Sequence, residues 1–217
     1  MTRLELDGWG GREIHVLCLG AHSDDIEIGC GGTILRLAER YPRVVFHWVI
    51  FSASGVRCVE AQRAAELFAG PALRGTLLKS FKDGFLPYVG ADVKEVFEQL
   101  KRTVEPDLIF SPSRRDAHQD HRLVGELTWN TFRDHLILEY EIPKYDGDLG
   151  RPSVFVPLEI ELCQKKVGHI MEAFQSQRMK RWFEETTFLS LMRLRGMECN
   201  APSGYAEAFY CRKLVFN

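Results

Sequence analysis

Ile14-His15-Val16-Leu17-Cys18-Leu19 is a β-prone run in which apolar residues do not alternate with polar ones. A strand of that kind must be covered on both faces, and a parallel sheet held between helical layers is the arrangement that covers both. The rest of the chain repeats the pattern. Gly29 to Arg40 predicts a helix entered through glycines and stopped before Pro42, Val44 to Phe51 a second buried strand, Cys58 to Ala69 a helix ended by Gly70-Pro71, and Thr76 to Ser80 a short strand. Ala91 to Val104 sets Val93, Val96, Phe97 and Leu100 on one helical face, and Glu105-Pro106-Asp107 breaks it before a strand from Leu108 to Ser111. A helix over His121 to His135, a strand over Leu136 to Tyr140, helices over Glu159 to Phe174 and Met179 to Leu194, and a closing strand over Ala206 to Phe216 complete the reading. The alternation predicts an α/β fold: three αβα layers around a doubly wound, mostly parallel, Rossmann-like sheet. At 217 residues the chain is long enough for one well-buried domain and short for two, and no repeat or linker divides 1–217.

Two of these strands run straight into polar clusters. The first is followed by His22-Ser23-Asp24-Asp25, and Leu108-Ile109-Phe110-Ser111 runs on to Asp116-Ala117-His118-Gln119-Asp120-His121. Open α/β sheets bind ligands beyond the carboxyl ends of their strands, so the two clusters suggest one site. A catalytic zinc takes three nitrogen or oxygen ligands and keeps a fourth position for water. His22, Asp25 and His121 can supply the three. Asp24, on the opposite side of the chain from Asp25, is free to accept a proton from water. His118, near His121, can protonate a leaving group or hold an oxyanion, with Asp120 or Asp116 orienting its ring. Ile142 to Ser153, with Pro143, Gly147, Gly150 and Pro152, predicts a loop that could cover the substrate.

His22-Ser23-Asp24-Asp25 followed by Gly29-Cys30-Gly31-Gly32-Thr33, together with His118-Gln119-Asp120-His121-Arg122, resembles the paired motifs of the LmbE-like (PIG-L) family of zinc-dependent N-deacetylases. Glu60 to Glu66 with Arg63, Asp83, Lys166 to Gln177, and Ala206-Glu207-Ala208-Phe209 agree in order, so the resemblance spans nearly the whole chain. It implies zinc, or another divalent transition metal such as Fe2+, on His22, Asp25 and His121. It further implies Asp24 as general base, His118 assisting at the transition state, and Arg63, Asp83 and Asp116 turned toward a small-molecule substrate. That substrate would be an N-acylated, chiefly N-acetylated, amino sugar or glycoconjugate. Two positions depart from the family pattern. Ser23 stands where a proline is usual, which frees a φ angle and keeps every ligand. Asp116 stands where some relatives have a tyrosine, and an ionised acid there orients His118 or a substrate hydroxyl instead of holding an oxyanion.

The charge balance, 28 basic against 30 acidic residues, gives no field for nucleic acid. The start, Met1 to Asp7, lacks the apolar core of a signal peptide, and Val44 to Phe51 is far too short to span a bilayer, so a soluble, cytoplasmic protein without a transmembrane segment is expected, with homo-oligomerisation left open. The six cysteines form no C-x-x-C pair and read as reduced, with Cys30 beside the proposed metal either a small packing residue or an accessory ligand.

Plainer readings exist for several residues. Asp24 and Asp25 could cap the following helix. Arg63 could pair with Glu60 or Glu66 on a solvated face, Asp83 could be a turn residue, and Gln175-Ser176-Gln177 with Glu207 could tie the C-terminal half to the sheet. His15, His47, His135 and His169 read as structural. Two rival functions share the pattern: Mg²⁺-dependent phosphoryl chemistry on the aspartate pair, which the histidines of the second cluster disfavour, and a non-catalytic metal- or sugar-binding protein.

Overall fold

In the computed structural model, which describes residues 11–215, the elements follow the predicted alternation. The strands are β1 (Ile14–His22), β2 (Val44–Ser52), β3 (Leu73–Leu78), β4 (Leu108–Pro112), β5 (Leu136–Tyr140), β6 (Val154–Pro157) and β7 (Ala206–Cys211). The helices are α1 (Asp25–Arg40), α2 (Val56–Ala69), α3 (Gly90–Thr103), α4 (Gln119–Thr131), α5 (Ile160–Ala173) and α6 (Glu185–Glu198). One sheet holds all seven strands in the order β3-β2-β1-β4-β5-β7-β6. The first five are parallel to their neighbours; β7 is antiparallel to both β5 and β6.

The unalternating runs are explained by their two faces. Val16, Cys18, Phe46, Trp48, Ile50 and Phe110 point into one core with residues of α1, α2 and α5, whereas Leu17, Leu19, Val49, Phe51 and Ile109 point into a second with α3 and α4. Both cores need apolar residues, so β1, β2 and β4 are apolar over most of their length on both faces. The chain steps outward from β1 to β2 to β3, then returns through α3 to β4 on the other side of β1. This reversal opens a crevice at the carboxyl ends of β1 and β4, the position where such sheets bind ligands.

Several boundaries differ from expectation. α1 begins at Asp25, four residues before the predicted Gly29, because the glycines lie inside the helix. A Cβ at Gly29 would overlap the ring of Tyr140, and one at Gly31 would come within 2.5 Å of Phe68, so the glycines permit close packing against β5 and α2. α6 starts at Glu185, later than the predicted Met179, after a stretch that packs Trp182 and Phe183. β6 was not predicted: it is four residues long, half-buried and ends in proline, so neither length nor pattern announces it. β7 stops at Cys211, where its pairing with β5 ends; Phe216, included in the predicted strand, and the Met1 to Asp7 segment lie outside the described residues. Among the described residues no helix is long and apolar enough to cross a membrane.

Candidate active site

β1 ends at His22 and α1 starts at Asp25, so the first cluster forms the turn at the carboxyl edge of the sheet. The second cluster occupies the loop after β4 and the first turn of α4. Since β1 and β4 are parallel neighbours, the two meet at the switch point of the sheet. His22 Nδ1 lies 3.1 Å from His121 Nε2. Asp25 lies beside both rings through different oxygens, Oδ2 3.6 Å from His22 Nδ1 and Oδ1 3.3 Å from His121 Nε2. Ligands bonded at about 2.0 to 2.1 Å around a tetrahedral metal stand about 3.3 Å apart, which is the scale of the His22–His121 separation and of the contact of one Asp25 oxygen with His121.

The outer hydrogen bonds decide what those atoms can do. His121 Nδ1 lies 2.9 Å from Asp116 Oδ2, and His22 Nε2 lies 3.2 Å from Asp120 Oδ2 and 3.1 Å from Asp83 Oδ1. Carboxylates accept only, so both outer nitrogens carry protons, and in the neutral rings the two facing nitrogens carry lone pairs. Two facing lone pairs with a carboxylate beside them favour a positive charge between them. A proton or a transition-metal dication supplies one, and the mixed nitrogen and oxygen donor set suits the dication. The titration behaviour has the same origin. Burial opposes charge on both rings, but the carboxylates more than offset it: Asp25, Asp120 and Asp83 hold His22 well above its usual range, and Asp25 with Asp116 lifts His121 to about 9. Asp25 is likewise resisted by burial and yet held well below the usual carboxylate range by His121 and His22.

His118 occupies the N-cap of α4, where its Nδ1 accepts the Asp120 N–H at 3.2 Å. With Nδ1 so engaged, the neutral ring carries its proton on Nε2, as a donor. Burial, then the neighbouring His121 and His22, lower its pKa and favour that neutral form. Its ring nitrogen comes within 4.8 Å of those of His22 and His121, but a protonated Nε2 cannot be a ligand. Asp24 sits at the N-cap of α1, yet its side chain makes no capping bond and turns to Arg57 Nη2 at 2.8 Å. Burial raises the proton affinity of Asp24, and Arg57 partly counters it.

The profile of the PIG-L family, described as GlcNAc-PI de-N-acetylase, matches residues 17–132, which include every residue just described. The chain belongs to the PIG-L family. It is 28% identical over 128 residues to the diacetylchitobiose deacetylase of Thermococcus kodakarensis, a match covering 52% of this chain and 46% of that protein. It therefore matches less than half of that relative's length. The uncharacterized deacetylase YaiS of Escherichia coli is 28% identical over 139 residues, covering 59% of this chain and 74% of that one. The fold matches that of N,N'-diacetylchitobiose deacetylase from Pyrococcus horikoshii with a TM-score of 0.70 at 20% identity, over 91% of this chain and 83% of the other.

Within this family member the remaining sequence candidates divide. Asp83 is drawn to His22 from a mostly exposed loop position. Asp120 orients His22, not the His118 ring: its carboxylate accepts from His22 and from the N–H groups of Gly84 and Leu86 at 2.7 and 3.1 Å. Asp116 likewise serves His121, and accepts the His118 backbone N–H at 2.7 Å instead of orienting the His118 ring. Arg63 is not brought to the site; it pairs with Glu172 on the outer surface of α2 and α5. Arg57, which sequence reasoning passed over, takes the place beside Asp24, braced by Glu60 at 3.1 Å and by the Phe174 ring at 5.2 Å. Glu60 in turn accepts from the N–H and hydroxyl of Ser176, both at 2.7 Å. Lys144, on the predicted covering loop, reaches Asp116 at 3.0 Å, and Asp148 of the same loop accepts the Ala117 N–H at 2.6 Å. Cys30 donates to Ile26 O at 3.2 Å within α1 and contacts no member of the site. Gln177 donates to Ser176 Oγ at 2.9 Å. Glu207 pairs with buried Lys166 at 2.6 Å, and the two grip α1 at the Gly32 N–H and the Ile28 carbonyl.

Proposed function

We propose that the chain is a metal-dependent N-deacetylase that removes an acyl group, chiefly acetyl, from the nitrogen of an amino sugar or glycoconjugate, with zinc as the metal. The observation that carries this reading is the pair of facing histidine nitrogens with the Asp25 carboxylate beside both, and a separately held aspartate in the same turn. Membership of the PIG-L family and the deacetylase relatives support the reaction class. His22, Asp25 and His121 would hold the ion. Bound there, a zinc-class dication would supply Lewis-acid polarisation of the amide carbonyl and bring the acidity of water close to neutrality.

The chain's own residues account for the proton traffic. Asp24, with its carboxylate fixed by Arg57, takes a proton from the attacking water; burial keeps it basic enough to do so. The Nε2–H of His118 donates to the oxygen of the tetrahedral intermediate as negative charge builds on it. The proton on Asp24 then passes to the departing amine, and Asp24 is restored. Asp116 and Asp120 act at one remove, holding His121 and His22 in the tautomers that face inward. The test is a screen of N-acetylated sugars and their conjugates for acetate release, with metal-stripped protein as control. Release that survives complete metal removal, or no release from any N-acetyl sugar by zinc-loaded protein, would overturn the reading.

A further inference from the structure

Asp116, whose carboxylate holds His121, also lines a cavity of about 280 Å³ bounded by the loop between β5 and β6. None of His22, Asp25, His118 and His121 lines it. Asp116, Glu141 and Asp148 contribute carboxylates to its wall, and both oxygens of each already accept hydrogen bonds. Asp116 takes the His118 N–H on one oxygen and His121 with Lys144 on the other. Asp148 takes Lys144 on both, and Glu141 takes Arg195 on both and the Tyr210 hydroxyl on one. Arg115 and Arg151 line the same cavity from exposed positions, and neither guanidinium has a hydrogen bond, ion pair or ring contact among the described residues. Their backbones are held. The Arg115 N–H donates to Ser113 Oγ at 3.2 Å; beside Arg151, the Gly150 N–H donates to the Tyr210 hydroxyl at 3.0 Å and the Gly150 carbonyl accepts from Arg195 at 3.2 Å.

We infer that this cavity binds an oxyanion, a phosphate or carboxylate group gripped between Arg115 and Arg151. A guanidinium presents its N–H donors in a planar fork that matches the paired oxygens of either group. Two such forks border one cavity in which every carboxylate oxygen is already engaged, so the surplus is of donors, and an oxyanion satisfies it. A cation finds no unengaged carboxylate there. Tyr140, Ile142 and Leu149 make part of the wall apolar, which strengthens a charge-assisted hydrogen bond formed against it. The held backbones leave only the two side chains to be ordered when the ion docks. Binding of the ion does not depend on the deacetylase reading. Because Asp116 is common to this wall and to the support of His121, the oxyanion is either a free ion or an acidic substituent of the molecule at the metal centre, and the two sources are separable by experiment.

Inorganic phosphate is titrated by calorimetry into the zinc-loaded and the metal-stripped chain, for wild type, Arg115→Ala, Arg151→Ala, the double variant and, as a control for unspecific attraction, Arg102→Ala; succinate repeats the series for carboxylates. Wild type is expected to bind phosphate with a Kd of about 1 mM in both states. Each single alanine variant should weaken binding about tenfold, Arg102→Ala should leave it unchanged, and Arg151→Lys should restore only part of the loss, since an ammonium cannot form the fork. No binding of either anion by wild type overturns the inference. So does binding that the double variant retains, which would put the ion at the metal centre instead. The source follows from kcat/KM for N-acetylglucosamine and its 1-phosphate. A preference for the phosphate that both single variants lose assigns the oxyanion to the substrate; equal values, with free phosphate altering turnover of the neutral sugar only where both arginines are present, assign it to a free ion. If neither sugar releases acetate, the deacetylase reading fails and the calorimetry alone decides whether the two arginines hold an oxyanion.

Discussion

The metal-free protein should lose stability as pH rises from 6.5 to 9, a sign opposite to that produced by ion-paired carboxylates whose pKa is held low. His121 is lifted to about 9 against an ordinary value of 6.5, with burial opposing and Asp25 and Asp116 prevailing. The folded state therefore binds a proton that the unfolded chain has released. The stabilisation is complete below pH 6.5 and is lost as pH passes through 9. A difference of that size corresponds to about 3 kcal/mol. For a chain of 217 residues the unfolding entropy is about 0.46 kcal/mol per kelvin, so Tm should fall by roughly 7 °C across the window. His22, also held high, adds to the fall. His118, His47 and His169 are all lowered, chiefly by burial, so their contributions change below pH 6.5 and leave the window clear. A divalent ion takes the place of the same protons, so zinc uptake should release protons and tighten with pH by up to about tenfold per unit for each proton displaced. Thermal unfolding of metal-stripped protein at several pH values, with zinc titrations in two buffers of different ionisation enthalpy, measures both effects. A Tm that is flat or rising from pH 6.5 to 9, or zinc uptake without proton release, refutes the argument that the inner nitrogens share a site starved of positive charge.

Other expectations concern single residues. Asp25→Ala should lose metal and turnover together, whereas Asp24→Ala keeps metal and loses about 10² to 10⁴ in kcat, and His118→Ala keeps metal while lowering kcat more than it raises KM; elemental analysis beside acetate release separates them, and equal metal loss in Asp24→Ala would sink the division of roles. Arg57→Ala should lower kcat with metal retained and Arg57→Lys should recover part of it, while Arg63→Ala stays within about twofold of wild type; steady-state kinetics showing the reverse ranking would reinstate Arg63. Glu27 is fully buried with neither carboxyl oxygen bonded, and burial holds its pKa well above the usual range; Glu27→Leu should raise stability at pH 7 by about 1 to 3 kcal/mol in urea unfolding, and a loss of stability would reveal a partner that the geometry does not contain. Gly29→Ala should destabilise by about 1 to 3 kcal/mol through the Tyr140 ring, and an unchanged midpoint would mean that the ring moves freely.

The layering was legible because it leaves a repeating demand in the chain. A strand covered on both faces must be largely apolar without alternation, and β1, β2 and β4 announce themselves that way. The antiparallel edge carries no such signal. β6 has four half-buried residues and one neighbour, so its place depends on pairing with β7, more than forty residues later in the chain. The start of α1 was misplaced for a related reason: glycines normally mark helix ends, and it takes side chains from elsewhere in the chain, Tyr140, Phe68 and Leu158, to make them necessary inside one.

At the site, the residues that the fold brings together were readable, and the partners of their outer nitrogens only partly so. His22 closes β1, Asp25 opens α1 and His121 lies in the first turn of α4, all placed by the strand-to-helix connections, whereas the partner of each outer nitrogen depends on which loop crosses it. Asp120 could be read as serving His118 because the two are neighbours in sequence; the helix that begins at Gln119 turns its carboxylate toward β1 and leaves only its N–H for His118. Arg57 and Arg63 make the same point on α2. Each has a glutamate three residues later, so charge spacing cannot choose between them. What distinguishes them is height. Arg57 lies in the first turn after β2, level with the carboxyl edge of the sheet where Asp24 emerges, and Arg63 lies nearly two turns farther down, where it pairs with Glu172 of α5. In a doubly wound sheet, a charged residue in the first turn of a helix that follows a strand is therefore a better candidate for the site than an equally patterned one deeper along the helix.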